Sequence, residues 1–163
     1  EGNSPGVPKL LMNDTGINSG YMILQYTTAA LASENKGLCF PSSADSIPTS
    51  LGQEDHVSMG SIGGRKALQV IGNVEKILAI ELLTAAQAFE FRKPLKSGVY
   101  LDEVHNAVRE HVAFADKDRV FADDIEKGIA MIKDQTILKV IDRVQAEHNI
   151  SLKTKHSEEF ENY

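Results

Sequence analysis

Residues Gln53-Glu54-Asp55-His56 place an amide, two carboxylates and an imidazole side by side. A carboxylate in such company can take up a proton or hold a cationic ring, and its neighbours tune its pKa. The run also has a plainer use. Acidic side chains suit the positive end of a helix, with Ser50 and Gln53 as capping groups, and the residues by themselves favour that use. His105 and His111 are six positions apart, off a common helix face, and read as surface histidines rather than shared metal ligands. Glu81 interrupts an apolar helix, where a buried cationic partner and an exposed stripe account for it equally well. Gly60, Gly63 and Gly64 do not match a dinucleotide fingerprint, and they fit close packing or a helix start better. Cys-x-x-Cys, His-Glu-x-x-His, Gly-x-Ser-x-Gly and a phosphate loop are all absent. The common metal, hydrolase and nucleotide signatures are thereby excluded, and no metal is predicted.

The elements that must position these residues read as helices. Residues 1 to 17, with Pro5, Pro8 and several glycines, form an extended or looped lead-in. From Ser19 to Lys36, apolar and small residues recur at three- and four-residue spacing behind Asn18 as a candidate N-cap. Gly37 to Gly52, rich in Pro, Ser and Asp, is a long loop, and long loops inside domains are often functional. Ile62 to Lys93 is one long helix, with Leu68, Ile71, Val74, Leu78, Leu82, Ala86 and Phe89 on one face and Pro94 as its stop. From Ile77 onward apolar residues surround most of its circumference, as in a helix enclosed on all sides. Further helices are predicted over Leu101 to Phe114, from Asp123 with a capping box to Glu126, and over Thr136 to His148. The polar stretch from Ser151 is expected to fray. No run alternates as a strand does, so the fold class is mainly α.

Bulk properties narrow the function. A chain of 163 residues with 42% hydrophobic and 25% charged residues is ordinary globular material. Its net charge of -6 disfavours nucleic acid and anionic lipid as partners. Cys39 is the sole cysteine, no secretory signal is visible, and the apolar stretch 77–89 is too short and polar to cross a bilayer. The expectation is a soluble cytoplasmic protein without a membrane span.

Several blocks in order and spacing resemble the histidine ammonia-lyase family. They are Asn18-Ser19-Gly20-Tyr21-Met22-Ile23, Ser33-Glu34-Asn35-Lys36, Asp45-Ser46-Ile47-Pro48-Thr49-Ser50 and Gln53-Glu54-Asp55-His56-Val57-Ser58-Met59. Ala79-Ile80-Glu81-Leu82, Ala85-Ala86-Gln87-Ala88 and Phe121-Ala122-Asp123-Asp124-Ile125-Glu126-Lys127 continue the likeness, which runs from about Val7 to Lys133. The segment 1–135 is accordingly expected to be the C-terminal lyase part, and 136–163 a helix with a polar tail.

The resemblance implies long antiparallel helices of a bundle, a homotetramer, and elimination of ammonia from L-histidine to give trans-urocanate. It implies a methylidene-imidazolone electrophile made from an Ala-Ser-Gly triad, which this sequence lacks. The triad, the catalytic tyrosines and a carboxylate-binding arginine are expected upstream, whether the chain is truncated, proteolysed or completed by a second polypeptide. Glu54 matches the family glutamate at the substrate's imidazole, with a catalytic or binding role; Met22 matches a residue lining the same side-chain pocket, and Gln53 adjoins it. An acid at position 54, where phenylalanine and tyrosine lyases typically have glutamine, favours histidine. Gly52 departs from the family's usual asparagine, Leu51 from a small residue and Tyr21 from phenylalanine. Two alternatives stay open: a non-catalytic assembly or regulatory module using the apolar 71–89 surface, and a phenylalanine or tyrosine lyase segment.

Overall fold

The periodicities resolve into five α-helices in the computed structural model, which describes residues 6–150. They are α1 (Met22–Leu38), α2 (Gly60–Glu90), α3 (Val99–His111), α4 (Phe121–Lys133) and α5 (Thr136–His148). No strand occurs among the described residues; two isolated bridges, Thr15 with Asn18 and Thr49 with Glu54, are the extended pairings. Short 3-10 turns at Lys9–Leu11, Ser42–Ala44 and Ser50–Gly52 shape the lead-in and the long loop. Residues 151–163, where fraying was expected, lie outside the described part.

At about 1.5 Å rise per residue, α2 is a rod of roughly 45 Å, and the other helices are arranged along it. Contacts from α1 run backwards on α2: Tyr21 meets Gln87, and Asn35 meets Asn73. The two are therefore antiparallel. By the same reading α4 is antiparallel to α2, with Gly128 against Ala79 and Lys133 3.4 Å from Glu75. A methyl group added at Gly128 would stand 3.1 Å from the Ala79 Cβ, so glycine lets these two backbones approach closely. α5 packs antiparallel on α3, with Arg143 bonded to Glu103 and the Tyr100 hydroxyl to the Ile150 carbonyl. Ala107, Val140 and Val144 close that second, smaller core.

The main core lies at one end of α2. Met12, Tyr21, Leu24, Ile80, Leu83, Ala86, Val108, Val112, Ala115, Phe121 and Met131 are buried together. The buried face of α2 is Asn73, Ala79, Ile80, Leu83, Ala86 and Gln87, whereas the predicted stripe through Leu68, Ile71, Val74 and Leu78 faces outward. Three predicted caps are also replaced. Tyr21 and not Asn18 precedes α1, and Val120 precedes α4 without a side-chain cap, so that Asp123 lies inside the first turn of α4 and forms no capping box with Glu126. Ser50 and Gln53 cap nothing here, because α2 starts at Gly60.

Gln87, fully buried, joins four parts of the chain. Its Nε2 donates to the Leu11 and Ala115 carbonyls at 3.1 and 2.8 Å. Its Oε1 accepts from the Ala115 N–H at 3.2 Å and from the Tyr21 hydroxyl at 3.5 Å. Burial pushes the Tyr21 phenol up to about 12, against Arg109 and Arg119 and with Asp124 adding to the rise. His105 is buried as well, not on the surface as its spacing suggested. Its Nε2 lies 3.1 Å from Glu90, which also meets Arg109 at 3.0 Å and Lys93 at 2.7 Å. Desolvation holds the imidazole below its ordinary pKa; Glu90 opposes this, while Arg109 and Lys93 reinforce it. Burial works to raise the Glu90 carboxyl, but Lys93 and Arg109 outweigh it and the net shift is downward.

Two outcomes follow for stability. Gln87→Leu strands the Ala115 amide and two carbonyls without partners, and the expected loss is about 3 kcal/mol or more in urea unfolding. His105 has a lower pKa folded than unfolded, so its neutral form is the native one. As pH falls below the ordinary histidine value of 6.5, the unfolded chain binds a proton that the folded chain resists, and stability drops; Glu90 adds a further loss below about 4.5. His105→Asn should flatten the first of these two slopes in a pH series of unfolding midpoints.

Candidate substrate side-chain site

The long loop between α1 and α2 folds back on itself and is pinned at its base. The Val57 N–H donates to Ser46 Oγ at 2.8 Å, and Thr49 and Glu54 exchange backbone hydrogen bonds at 2.9 and 3.2 Å. Between them the chain turns through positive φ at Ser50, Leu51 and Gly52, at 53°, 60° and 85°. Side chains seldom adopt this region, and Gly52 supplies the residue that enters it freely. Leu51 stands out from the tip, and Gln53 and Glu54 follow directly, both exposed. The polar quartet is thus presented on a tight hairpin, not spent on capping.

Beneath the hairpin a groove of about 640 Å³ runs along the start of α2. Phe40, Asp45, His56, Ser58, Met59 and Lys66 contribute to its lining. Lys66 donates to the Phe40 carbonyl and lies 5.8 Å from its ring centroid. The Glu34-Asn35 pair is locked to α2, with Asn73 Nδ2 donating to Glu34 at 2.7 Å and to Asn35 at 2.9 Å, and Gln69 to Glu34 at 3.0 Å. These amide bonds fix the end of α1 from which the loop departs. Among the described residues no group of three His, Cys, Asp or Glu side chains could hold a metal ion. Glu81, the acidic residue inside α2, is exposed in this chain.

Met22 opens α1 at its other end and is half-buried. The turn before it is held from far along the chain: the Ser19 and Gly20 N–H groups donate to the Asp118 carboxylate at 2.7 and 2.8 Å. Asn18, predicted as a cap, accepts from the Asp118 N–H at 3.1 Å and donates to the Asn13 carbonyl at 3.2 Å. Met22 and Glu54 are not brought together. Tyr21 lies level with Gln87, whereas Val57 shares a groove with Val70, about 25 Å down the α2 axis at 1.5 Å per residue. Three residues of extended chain from Val57 to Glu54 reach only about 10 Å.

Fold and site together define an all-helical bundle that presents a carboxylate on an exposed hairpin. The aromatic amino acid lyase family model matches residues 2–110, and the chain belongs to that family. A histidine ammonia-lyase of Natranaerobius thermophilus is 48% identical over 142 residues, which is 87% of this chain and 28% of that protein. The crystal structure of a histidine ammonia-lyase from Trypanosoma cruzi superposes with a TM-score of 0.81 at 43% identity, covering 84% of this chain and 27% of its own. A tyrosine aminomutase from Streptomyces globisporus also gives 0.81, at 36% identity, over 91% of this chain and 28% of its own. The chain therefore spans about a quarter of the length of the relatives it matches. Among the described residues no helix is long and apolar enough to cross a membrane.

Sequence reasoning missed the contribution of Asp118, because a bond to residues 98 and 99 positions away leaves no local pattern. Gln87 did carry a signal: it is the lone amide amid Ala85, Ala86 and Ala88 of an apolar helix. At Gly52 a Cβ would meet nothing within 4 Å, so only the backbone conformation constrains the position. Gly52→Asn should leave resistance of the hairpin to limited proteolysis unchanged, since asparagine tolerates positive φ; Gly52→Val should open it to cleavage.

Proposed function

We propose that this chain is the C-terminal part of a histidine ammonia-lyase, which eliminates ammonia from L-histidine to give trans-urocanate. The observation that carries the reading is the Glu54 carboxylate, free on a pinned hairpin, in a chain about half identical to proteins of that name. Glu54 is assigned to the substrate's ring, where its carboxylate accepts an imidazole N–H bond and can hold the ring proton as charge develops during elimination. Gln53 borders it, and Met22 forms an apolar wall of the same pocket. A carboxylate suits an imidazole better than a phenyl or phenol ring, which has no ring N–H to offer.

The methylidene-imidazolone that acidifies the substrate in this family is not formed from residues of this sequence, which has no Ala-Ser-Gly. Its source is assigned to lyase polypeptide beyond these 163 residues. The segment by itself is therefore inactive in this proposal. Because Met22 and Glu54 sit at opposite ends of α1 and its loop, one pocket would take them from different copies of the chain. A homotetramer supplies those copies, and the outward face of Ile71, Val74 and Leu78, with Ile23 and Tyr26 of α1, gives it apolar surface to bury. The segment 1–135 is assigned to the lyase body and 136–163 to a C-terminal helix and tail. The exposed thiol of Cys39 is compatible with a cytoplasmic enzyme, and no nucleic acid or membrane partner is proposed.

The test is made in the full-length enzyme containing this segment. Glu54→Ala should lower urocanate formation from histidine by about a hundredfold or more, as for loss of a positioned acid or base. Glu54→Gln should narrow the preference for histidine over phenylalanine and tyrosine. An unchanged rate in Glu54→Ala removes this residue from the site. Mixed oligomers of Glu54→Ala and Met22→Ala subunits should be more active than either variant alone, since some pockets then receive both native residues. No recovery on mixing would place both residues in one copy.

A further inference from the structure

We propose that Asp118 is a positioning residue for the pocket wall that Met22 provides, an inference that rests on the assignment of Met22 to the substrate pocket. α1 has no side-chain cap of its own. The first N–H groups ahead of it are instead satisfied by Asp118, which accepts from both Ser19 and Gly20 and returns its own N–H to Asn18. A carboxylate there bonds two consecutive donors and faces the positive end of a helix, an arrangement stronger than bonds to a neutral acceptor.

The turn it holds has little freedom elsewhere. Gly20 has φ of +57°, and a Cβ on it would stand 2.6 Å from the Leu10 carbonyl oxygen and 2.9 Å from the Met12 Cβ. The Tyr21 N–H donates to that same Leu10 carbonyl at 2.9 Å. Asp118 is itself carried by a braced loop. Arg119 reaches the Ala113 and Phe114 carbonyls at 2.6 and 3.2 Å and Asp124 at 2.8 Å, and Ala115 is bonded both ways to Gln87. Met22 follows Gly20 by two residues and lies outside the buried cluster that fixes Tyr21 and Leu24. Its place is set by the turn more than by packing of its own side chain.

Asp118→Asn keeps the shape but puts an amide NH₂ against a backbone N–H. In the full-length enzyme it should raise the KM for histidine about fivefold to tenfold with kcat changed less than about twofold, the pattern of lost uniform binding. Asp118→Glu, which keeps both acceptor oxygens, should recover most of that loss. Met22→Ala should also raise KM, and the double variant Asp118→Asn/Met22→Ala should be no worse than Met22→Ala, because both changes act on one contact. A merely structural Asp118 would lower kcat or the yield of assembled enzyme and leave KM alone, or add its effect to that of Met22→Ala, and either result overturns the proposal. If Asp118→Asn does not assemble, Asn18→Ala, which frees the same turn, is read by the same split. An unchanged KM in Met22→Ala defeats the pocket assignment and the inference with it; a raised KM there beside a native KM in the Asp118 and Asn18 variants defeats the inference alone.

Discussion

Everything around the Met22 end of α1 depends on the side chain of Gln87. A primary amide has two donors and an acceptor oxygen with two lone pairs, and here both ends of it are bonded across the core. The groups it satisfies are backbone atoms of segments without regular structure: Leu11 of the lead-in and Ala115 of the connection between α3 and α4. Such segments can be buried only if their N–H and C=O groups find partners. Gln87 lets two irregular strips pass through an apolar core, and Met12 and Ala115, both fully buried, are what they contribute to it. The Asp118 bonds to the α1 turn start from the same braced connection, so positional information flows from α2 through that loop to α1.

The unequal burial along α2 follows from where its partners end. From Ala79 to Gln87, α1, α4 and the lead-in pack on the helix and bury Ala79, Ile80, Leu83, Ala86 and Gln87, leaving Glu81 and Ala85 exposed, so the helix is not enclosed on all sides as its composition suggested. Nearer its start α1 and the loop cover one side, and Leu68, Ile71, Val74 and Leu78 remain open. An open apolar face of this extent is the kind of surface that a further partner covers. The Met22 and Glu54 ends lie apart because of helix length: a stiff rod separates them, and no loop of this size bridges them.

How much was legible in the sequence differs by the range of the interaction. Helix α5 has the predicted bounds, Thr136 to His148, because apolar spacing and turn residues are local signals. α2 was legible as one long helix for the same reason, but not which side of it is buried, since apolar residues on both sides give no basis for choosing. The caps failed systematically. Asn18, Ser50 and Asp123 are good capping types by composition, yet none of them caps a helix: Asn18 is taken by Asp118, and α2 and α4 start at Gly60 and Phe121. His105 was misplaced because spacing cannot report that Glu90, Arg109 and the Phe89 ring, 4.8 Å away, converge on it. The polar quartet was read by composition as a helix start, and the resemblance pointed the other way.

The hairpin explains why composition misled there. Acidic residues before a helix ordinarily interact with its N–H groups, but here five residues separate Glu54 from Gly60, and the Ser46–Val57 bond holds that spacer against the groove. The helix start is served by Ser58, whose hydroxyl accepts from the Gly60 N–H at 3.3 Å. Glu54 is thereby released from capping. Its backbone is committed to Thr49 while its side chain is not committed to a fold contact, which is the condition a ligand-facing carboxylate must meet. A group fully engaged by its own chain stabilises the fold and has nothing left for a substrate. The cost of presenting it this way is three consecutive residues at positive φ. Strain of that kind persists where the flanking pairs on either side over-determine the turn.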